Sequence, residues 1–273
     1  MMKKTVVGYL TYITVKNSNN RLLDFRDSIE SLNLLRSNNI EIVSIDNSSI
    51  DEVRKNIKSS GLFSKHFHYQ KNYFDVALFY TTLWYAKDID ADYVCFLYDD
   101  FIMYDNAIND VIEFLEQHQD VSCVRLPSYD FKNKSKYDSD ITPKSINPDS
   151  IRHYNSITGK SLIWEGPFQF GEHSFYKNNW HYTSRPCVWR RSFFEKVIET
   201  QGQTSNVLQG FEAWATNEFE KFSVKTGVLD GGMLKTTPVI RSARGLEICA
   251  EKENSIKISV DEMFEEYKKM KVN

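Results

Sequence analysis

Asp99 and Asp100 stand side by side at the end of an apolar run, Tyr93-Val94-Cys95-Phe96-Leu97. Two carboxylates brought together by a rigid strand repel each other unless a cation neutralises them. Hard oxygen ligands of this kind suit Mg²⁺ or Mn²⁺ carrying a substrate phosphate. Acidic residues are also common in turns, so the pair alone leaves both readings open. Asp46, in Ile45-Asp46-Asn47-Ser48-Ser49, ends a second apolar run. Its plain structural role would be an Asx-turn that opens a helix. Thr11 and Tyr12 close a third such run, residues 5–12.

These residues need elements to hold them. The β-branched and aromatic segment TVVGYLTY suits a buried strand, and Leu22, Phe25, Ile29 and Leu32 recur at helical spacing after it. IEIVSID is predicted as a second strand, and a helix follows that closes on Gly61. KHFHYQ is predicted as a third strand, FDVALFYTTLWYAKD as a mostly buried helix, and the run into Asp99 as the fourth strand. Asp105 is expected to cap the helix NAINDVIEFLEQHQ, and VSCVRLP to form a fifth strand. Alternation of strand and helix to about residue 127 is the signature of a parallel sheet covered on both faces. Right-handed crossovers then bring the C-terminal ends of the strands, with Thr11-Tyr12, Asp46 and Asp99-Asp100, to one edge, where open α/β sheets bind ligands. Residues 128–180 are rich in Ser, Asn, Asp and Lys and then in aromatics. A long loop there reads as a lid, a binding loop or disorder. Beyond it, GFEAWATNEFEKFSVKTG is predicted as a helix ending at Gly227, and SVDEMFEEYKKMK as a short amphipathic helix capped by Ser259 or Asp261.

Composition narrows the classes. The 34 Lys and Arg against 37 Asp and Glu give a net charge of -3 with no long run of either sign, so no nucleic-acid footprint is expected. The four cysteines, Cys95, Cys123, Cys187 and Cys249, are far apart and form no C-x-x-C pair, which signals neither a zinc site nor a disulfide framework. A reducing, cytoplasmic setting fits best, with peripheral contact to a membrane allowed. No stretch approaches the roughly 18 apolar residues that a transmembrane segment needs.

Taken in order, Thr11-Tyr12, then Ile45-Asp46-Asn47-Ser48-Ser49, then Tyr98-Asp99-Asp100 resemble the nucleotide-binding half of GT-A fold glycosyltransferases, especially family 2. The family's first motif is Pro-Thr-Tyr-Asn, with Leu10 here in place of the proline. Its second is Val-Asp-Asp-Gly-Ser, with Ser48 here in place of the glycine. Its third is an acidic D-x-D element, whose first position is here Tyr98. The resemblance implies an α/β fold: a single GT-A-like domain with a mainly parallel sheet, helices on both faces and a C-terminal acceptor-binding elaboration. Residues 1–127 would be the donor half, 128–250 the acceptor-binding and catalytic half, and 251–273 a C-terminal helix. It further implies that Thr11, Tyr12 and Asp46 contact the base or ribose of a nucleotide-diphosphate sugar. Asp99 would contact ribose or donor sugar, and Asp100 would hold the Mn²⁺ or Mg²⁺ that bridges the diphosphate. The acceptor would be a glycan or lipid-linked saccharide, and the setting surface polysaccharide biosynthesis.

Inverting transfer needs a carboxylate to take the acceptor hydroxyl proton. In 210–227, Phe211, Trp214, Ala215, Phe219 and Phe222 define an apolar helical arc. Glu218 falls inside it, Glu212 at its margin and Glu220 opposite. An acid on an apolar face must be paired, protonated or facing a cleft. Glu218 is therefore the first candidate base, Glu212 the second, and a salt bridge from Glu218 to a buried Arg the structural alternative. Asn217 replaces the first acid of the family's usual pair. Arg241 and Arg244 suit bidentate phosphate contacts, although either could be a solvated surface residue. Arg185, Arg190 and Arg191 are less specific candidates. Trp180 and His181 could form an acceptor platform, while most other aromatics between Trp164 and Trp189 read as core.

Two other classes stay open. A sugar nucleotidyltransferase would show a Gly-rich phosphate loop near the first strand, which GYLTYITVKNSNNR does not supply. A non-catalytic, transferase-like glycan-binding module is permitted by Tyr98 and Asn217.

Overall fold

A computed structural model describes residues 3–14, 18–126, 159–179, 186–200, 225–231, 233–236 and 259–272. The first half alternates as its hydrophobic periodicity predicts: β1 (Thr5–Thr11), α1 (Ser18–Ser31) with a 3₁₀ turn (Leu32–Leu35), β2 (Ile40–Asn47), α2 (Asp51–Ser60), β3 (Lys65–Tyr69), α3 (Phe74–Asp88) and β4 (Tyr93–Tyr98). Then follow β5 (Phe101–Met103), α4 (Ile108–Gln117), β6 (Val121–Arg125), β7 (Trp164–Phe170), β8 (His173–Asn178), β9 (Cys187–Arg190), α5 (Arg191–Thr200), β10 (Lys225–Leu229), β11 (Leu234–Thr236) and α6 (Val260–Val272).

One nine-stranded sheet has the order β3-β2-β1-β4-β9-β6-β10-β8-β7. Strands β3, β2, β1 and β4 are parallel neighbours. β9 then runs antiparallel between β4 and β6, and β10 runs parallel to β6 and antiparallel to β8. Of the parallel strands, β1, β2 and β4 are buried throughout or nearly so, as expected where helices cover both faces, and the edge strand β3 is only partly buried. A two-stranded sheet, β5 with β11, lies beside it.

Helix packing on β1 is close enough to dictate a residue. A Cβ on Gly8 would sit 1.9 Å from Thr82 Oγ1 and 2.9 Å from Leu78 Cδ1, so α3 rests directly on the β1 backbone. At the sheet edge, α6 covers β3. Met263 and Tyr267 are buried, the Tyr267 ring stacks on Phe67 at 5.1 Å, and Trp84 meets Phe264 at 4.7 Å. Ser259 caps α6 by accepting from the Glu262 N–H at 3.2 Å.

Several expectations are corrected. The segment through Gly227 is not the end of a helix there: Lys225–Leu229 is strand β10. Gly227 is required by packing, because a Cβ would lie 2.8 Å from both Phe114 Cε1 and Val124 Cγ2. Within the expected loop of 128–180, Trp164–Asn178 forms the β7–β8 hairpin, with Phe170, Phe175 and Tyr176 buried. Asp105 does not cap α4. The Ile108 N–H donates to Asn106 Oδ1 (3.2 Å), while Asp105 accepts from the Asn106 N–H and from His173.

His173 fastens the hairpin to α4. Its Nδ1 donates to Asp110 Oδ2 (2.7 Å) and its Nε2 to Asp105 Oδ2 (2.9 Å). Burial alone would depress this imidazole, but the two carboxylate hydrogen bonds outweigh it and raise its pKa above the usual value. A folded-state pKa above the unfolded one stabilises the native state fully below about 6.5, and this contribution is lost as pH rises through the folded pKa. Wild type should therefore lose stability across that window, modestly because Asp105 is half exposed. Chemical denaturation of wild type and His173→Gln at several pH values checks this, and the variant should lack the slope.

Candidate active site

The strand registers bring the sequence candidates together. Thr11 lies opposite Asp46 on β2, Leu10 opposite Tyr98 on β4, and Asp46 opposite His68 on β3. Thr11, Tyr12, Asp46, Asp99 and Asp100 thus share the C-terminal edge of the parallel strands. All but Tyr12 are buried.

Asp46 is held by three donors. Its Oδ1 accepts from the Ser49 N–H (2.8 Å) and the Thr11 hydroxyl (3.4 Å), and its Oδ2 faces His68 Nδ1 at 2.6 Å. Arg54 bonds His68 Nε2. Guanidinium only donates, so Nε2 accepts and Nδ1–H is the donor to Asp46. The Asx-turn contact at Ser49 therefore coexists with an oriented carboxylate at the edge. Ser48, where the resembled family carries glycine, is exposed and has φ +66°, a left-handed conformation that disfavours a side chain. Ser48→Gly is expected to raise unfolding stability by about 0.5–1 kcal/mol, read by denaturant titration.

The acid pair divides in its contacts. The Asp99 N–H donates to the Leu10 carbonyl (3.0 Å), and the chain then turns through Asp99-Asp100 into β5. That turn is the bend two adjacent acids need in order to share one site. Asp99 Oδ1 accepts from Arg21 Nη2 (2.8 Å) and its Oδ2 from the Tyr12 N–H (3.2 Å). Arg21 Nη1 also donates to the Tyr12 carbonyl (2.7 Å). Asp100 is 5% exposed. Tyr98 is core, 5% exposed, with its ring 6.1 Å from that of Phe101. The strand after the turn is fixed from α1. Ser28 donates to the Phe101 carbonyl (2.5 Å) while accepting from the Tyr9 hydroxyl (2.8 Å), and the Met103 N–H donates to Ser31 Oγ (3.0 Å).

Sequence reasoning missed Arg21 and His68, although each left a signal. Arg21 is four residues before Phe25, on the apolar side of α1, where a charge needs a buried partner. His68 alternates with the buried Phe67 and Tyr69 and so lies on the face of Asp46, its cross-strand neighbour. Of the less specific arginines, Arg190 is corrected: it closes the end of α4 by donating to the carbonyls of Leu115, His118 and Val121. Arg191 pairs with Asp90 and Glu195 on the surface. Glu212, Glu218, Trp180, His181, Arg185, Arg241 and Arg244 lie outside the described residues.

Asp100 offers one hard carboxylate, and Mg²⁺ or Mn²⁺ that carries phosphates is commonly held by one or two carboxylates, with phosphate oxygens and water completing the shell. Among the described residues, no group of three His, Cys, Asp or Glu is placed to hold a metal. A cation held by Asp100 would need phosphate oxygens, water or further ligands to complete its shell. No helix among the described residues is long and apolar enough to cross a membrane.

Comparison with known proteins supplies the family. The chain is similar in structure to S. aureus TarS residues 1–349, with a TM-score of 0.54 at 12% identity over 86% of this chain and 60% of that one. The mannosyltransferase PcManGT from Pyrobaculum calidifontis, in complex with GDP-Man and Mn²⁺, gives a TM-score of 0.48 at 13% identity over 83% of this chain and 54% of that one. The chain thus spans less than two thirds of the length of either protein. A search of curated protein sequences finds no match. The TarS likeness supports the fold, and a family profile described as glycosyl transferase family 2 matches residues 12–198, more than half the chain. The chain belongs to glycosyl transferase family 2.

Proposed function

We propose that the chain transfers a sugar from a nucleotide-diphosphate donor to a hydroxyl of a glycan or lipid-linked saccharide, with inversion, in surface polysaccharide assembly. The observation that carries the reading is the convergence of Thr11, Asp46, Asp99 and Asp100 on one edge of the parallel strands, within or beside the family-matched segment.

In this reading Asp46, oriented by Ser49, Thr11 and His68, accepts hydrogen bonds from the base or ribose, with Tyr12 beside it. Asp99 acts chiefly by fixing Arg21 and the Tyr12 backbone, and its side chain borders the ribose and donor sugar. Asp100 holds Mn²⁺ or Mg²⁺, which when bound would offset charge on the departing diphosphate. Arg241 and Arg244 add positive charge to that diphosphate. Glu218, or failing it Glu212, removes the proton from the acceptor hydroxyl as the oxygen attacks the anomeric carbon, and Trp180 and His181 border the acceptor. Residues 1–127 form the donor half, 128–250 shape the acceptor side, and the C-terminal helix buttresses β3.

A thermal-shift screen of UDP, GDP, CDP and dTDP sugars, with and without Mn²⁺, tests this. One donor should raise the melting temperature, and more so with metal, because a ligand that binds the native state stabilises it. No shift with any of them, together with no donor hydrolysis, would defeat the reading.

A further inference from the structure

Arg21 is a mostly buried cation beside the acid motif. Its side chain is 11% exposed and that of Asp99 5%, at 2.8 Å. It joins α1, the end of β1 through the Tyr12 carbonyl, and the end of β4 through Asp99. Its Nε is buried and makes no hydrogen bond among the described residues, so the guanidinium is committed to this charge pairing without being fully satisfied. The same cluster is felt at the Tyr9 hydroxyl. Burial and then Asp99 push that group well above its ordinary pKa, Asp100 adds to this, and Arg21 opposes it.

The charge count follows. With Tyr98 neutral, Arg21 offsets the charge of Asp99, so these three residues and Asp100 together carry a formal charge of minus one rather than the minus two of the acids alone. Affinity for a hard dication depends on ligand charge. We infer that Arg21 sets the order of assembly: by neutralising Asp99 it keeps the motif from retaining a divalent cation alone, so that the cation enters together with the donor's diphosphate. This rests on the proposed transferase reading, in which Asp100 is the metal ligand. Arg21 acts through Asp99 and is a positioning residue.

The test uses the full chain and Mn²⁺ alone, with free Mn²⁺ measured by electron paramagnetic resonance. Wild type should bind Mn²⁺ weakly without nucleotide and much more tightly when UDP or GDP is added. Arg21→Met should bind Mn²⁺ alone about tenfold more tightly than wild type, and Arg21→Lys should match wild type. If Arg21→Met does not fold, the pair Arg21→Met/Asp99→Asn carries the same comparison. It should bind Mn²⁺ alone about tenfold more tightly than Asp99→Asn, which leaves Arg21 opposing Asp100. A merely structural Arg21 would lower affinity or leave it unchanged, so a gain on removing it is diagnostic. Tight Mn²⁺ binding by wild type alone, or no gain in these comparisons, overturns the inference. Failure of every nucleotide sugar to bind or turn over overturns the transferase reading instead, whatever the Mn²⁺ affinities.

Discussion

Replacing Asp100 by Asn is expected to lower sugar transfer by about 10²- to 10³-fold while the chain stays folded, because a charge that acts on the departing group is lost without a change of shape. The expectation depends on how the acid pair divides its work. Asp99 has both oxygens engaged, one by Arg21 and the other by the Tyr12 N–H. The proposed reading assigns the metal role to Asp100, which the turn after β4 delivers to the same edge. Asp99→Asn should behave differently. It leaves a buried guanidinium without its counter-charge, a loss of up to about 3–5 kcal/mol when a buried pair is broken. Thermal unfolding and initial rates over a range of Mn²⁺ concentrations separate the two. Asp100→Asn should move the rate and the Mn²⁺ requirement first, whereas Asp99→Asn should move the melting temperature first. If Asp100→Asn keeps wild-type turnover, Asp100 is not the metal ligand.

The half of the fold that was legible in the sequence is the half whose elements bury one strong pattern each. FDVALFYTTLWYAKD reads as a buried helix and is one, Phe74–Asp88. The three strands that end at Thr11, Asp46-Asn47 and Tyr98 are predominantly apolar and buried along nearly their whole length because helices cover both faces of the sheet. Their order therefore placed Thr11, Asp46 and the acid pair at one edge before any coordinates were needed. Legibility fails where a local signal has two causes. Gly227 looks like a helix stop but is a strand residue that Phe114 and Val124 leave no room to enlarge. Asp105 looks like a cap, yet its carboxylate is drawn to His173, 68 residues away. The same distance problem hid Arg21, whose partner Asp99 is 78 residues along the chain. Periodicity describes a face, and only the register of β1 with β4 says which face meets which acid.

Gly8→Ala is expected to destabilise the chain by about 3 kcal/mol, at the upper end of what overpacking usually costs. Gly8 lies in the middle of β1, between β2 and β4 in the sheet, and the added methyl would occupy the place of the Thr82 hydroxyl, 1.9 Å away. Neither side can yield easily, since β1 is held by ladders on both edges and α3 is anchored by Leu78 and Leu83, both buried. Displacing β1 would also move Thr11 and the Tyr12 backbone, which hold Asp46 and Asp99, so donor affinity should fall together with stability. The cause can be isolated. Thr82 Oγ1 is buried and has no hydrogen-bond partner among the described residues, so Thr82→Ala removes the obstructing atom without breaking a bond. In a double-mutant cycle, Gly8→Ala/Thr82→Ala should recover most of the loss, giving a coupling of about 1–3 kcal/mol by denaturant unfolding. Additive effects would mean that the strand responds to lost glycine flexibility and not to the contact with α3. Recovery of donor binding in the double variant would show that the position of β1, set by one glycine under a helix, fixes the geometry of the sheet edge.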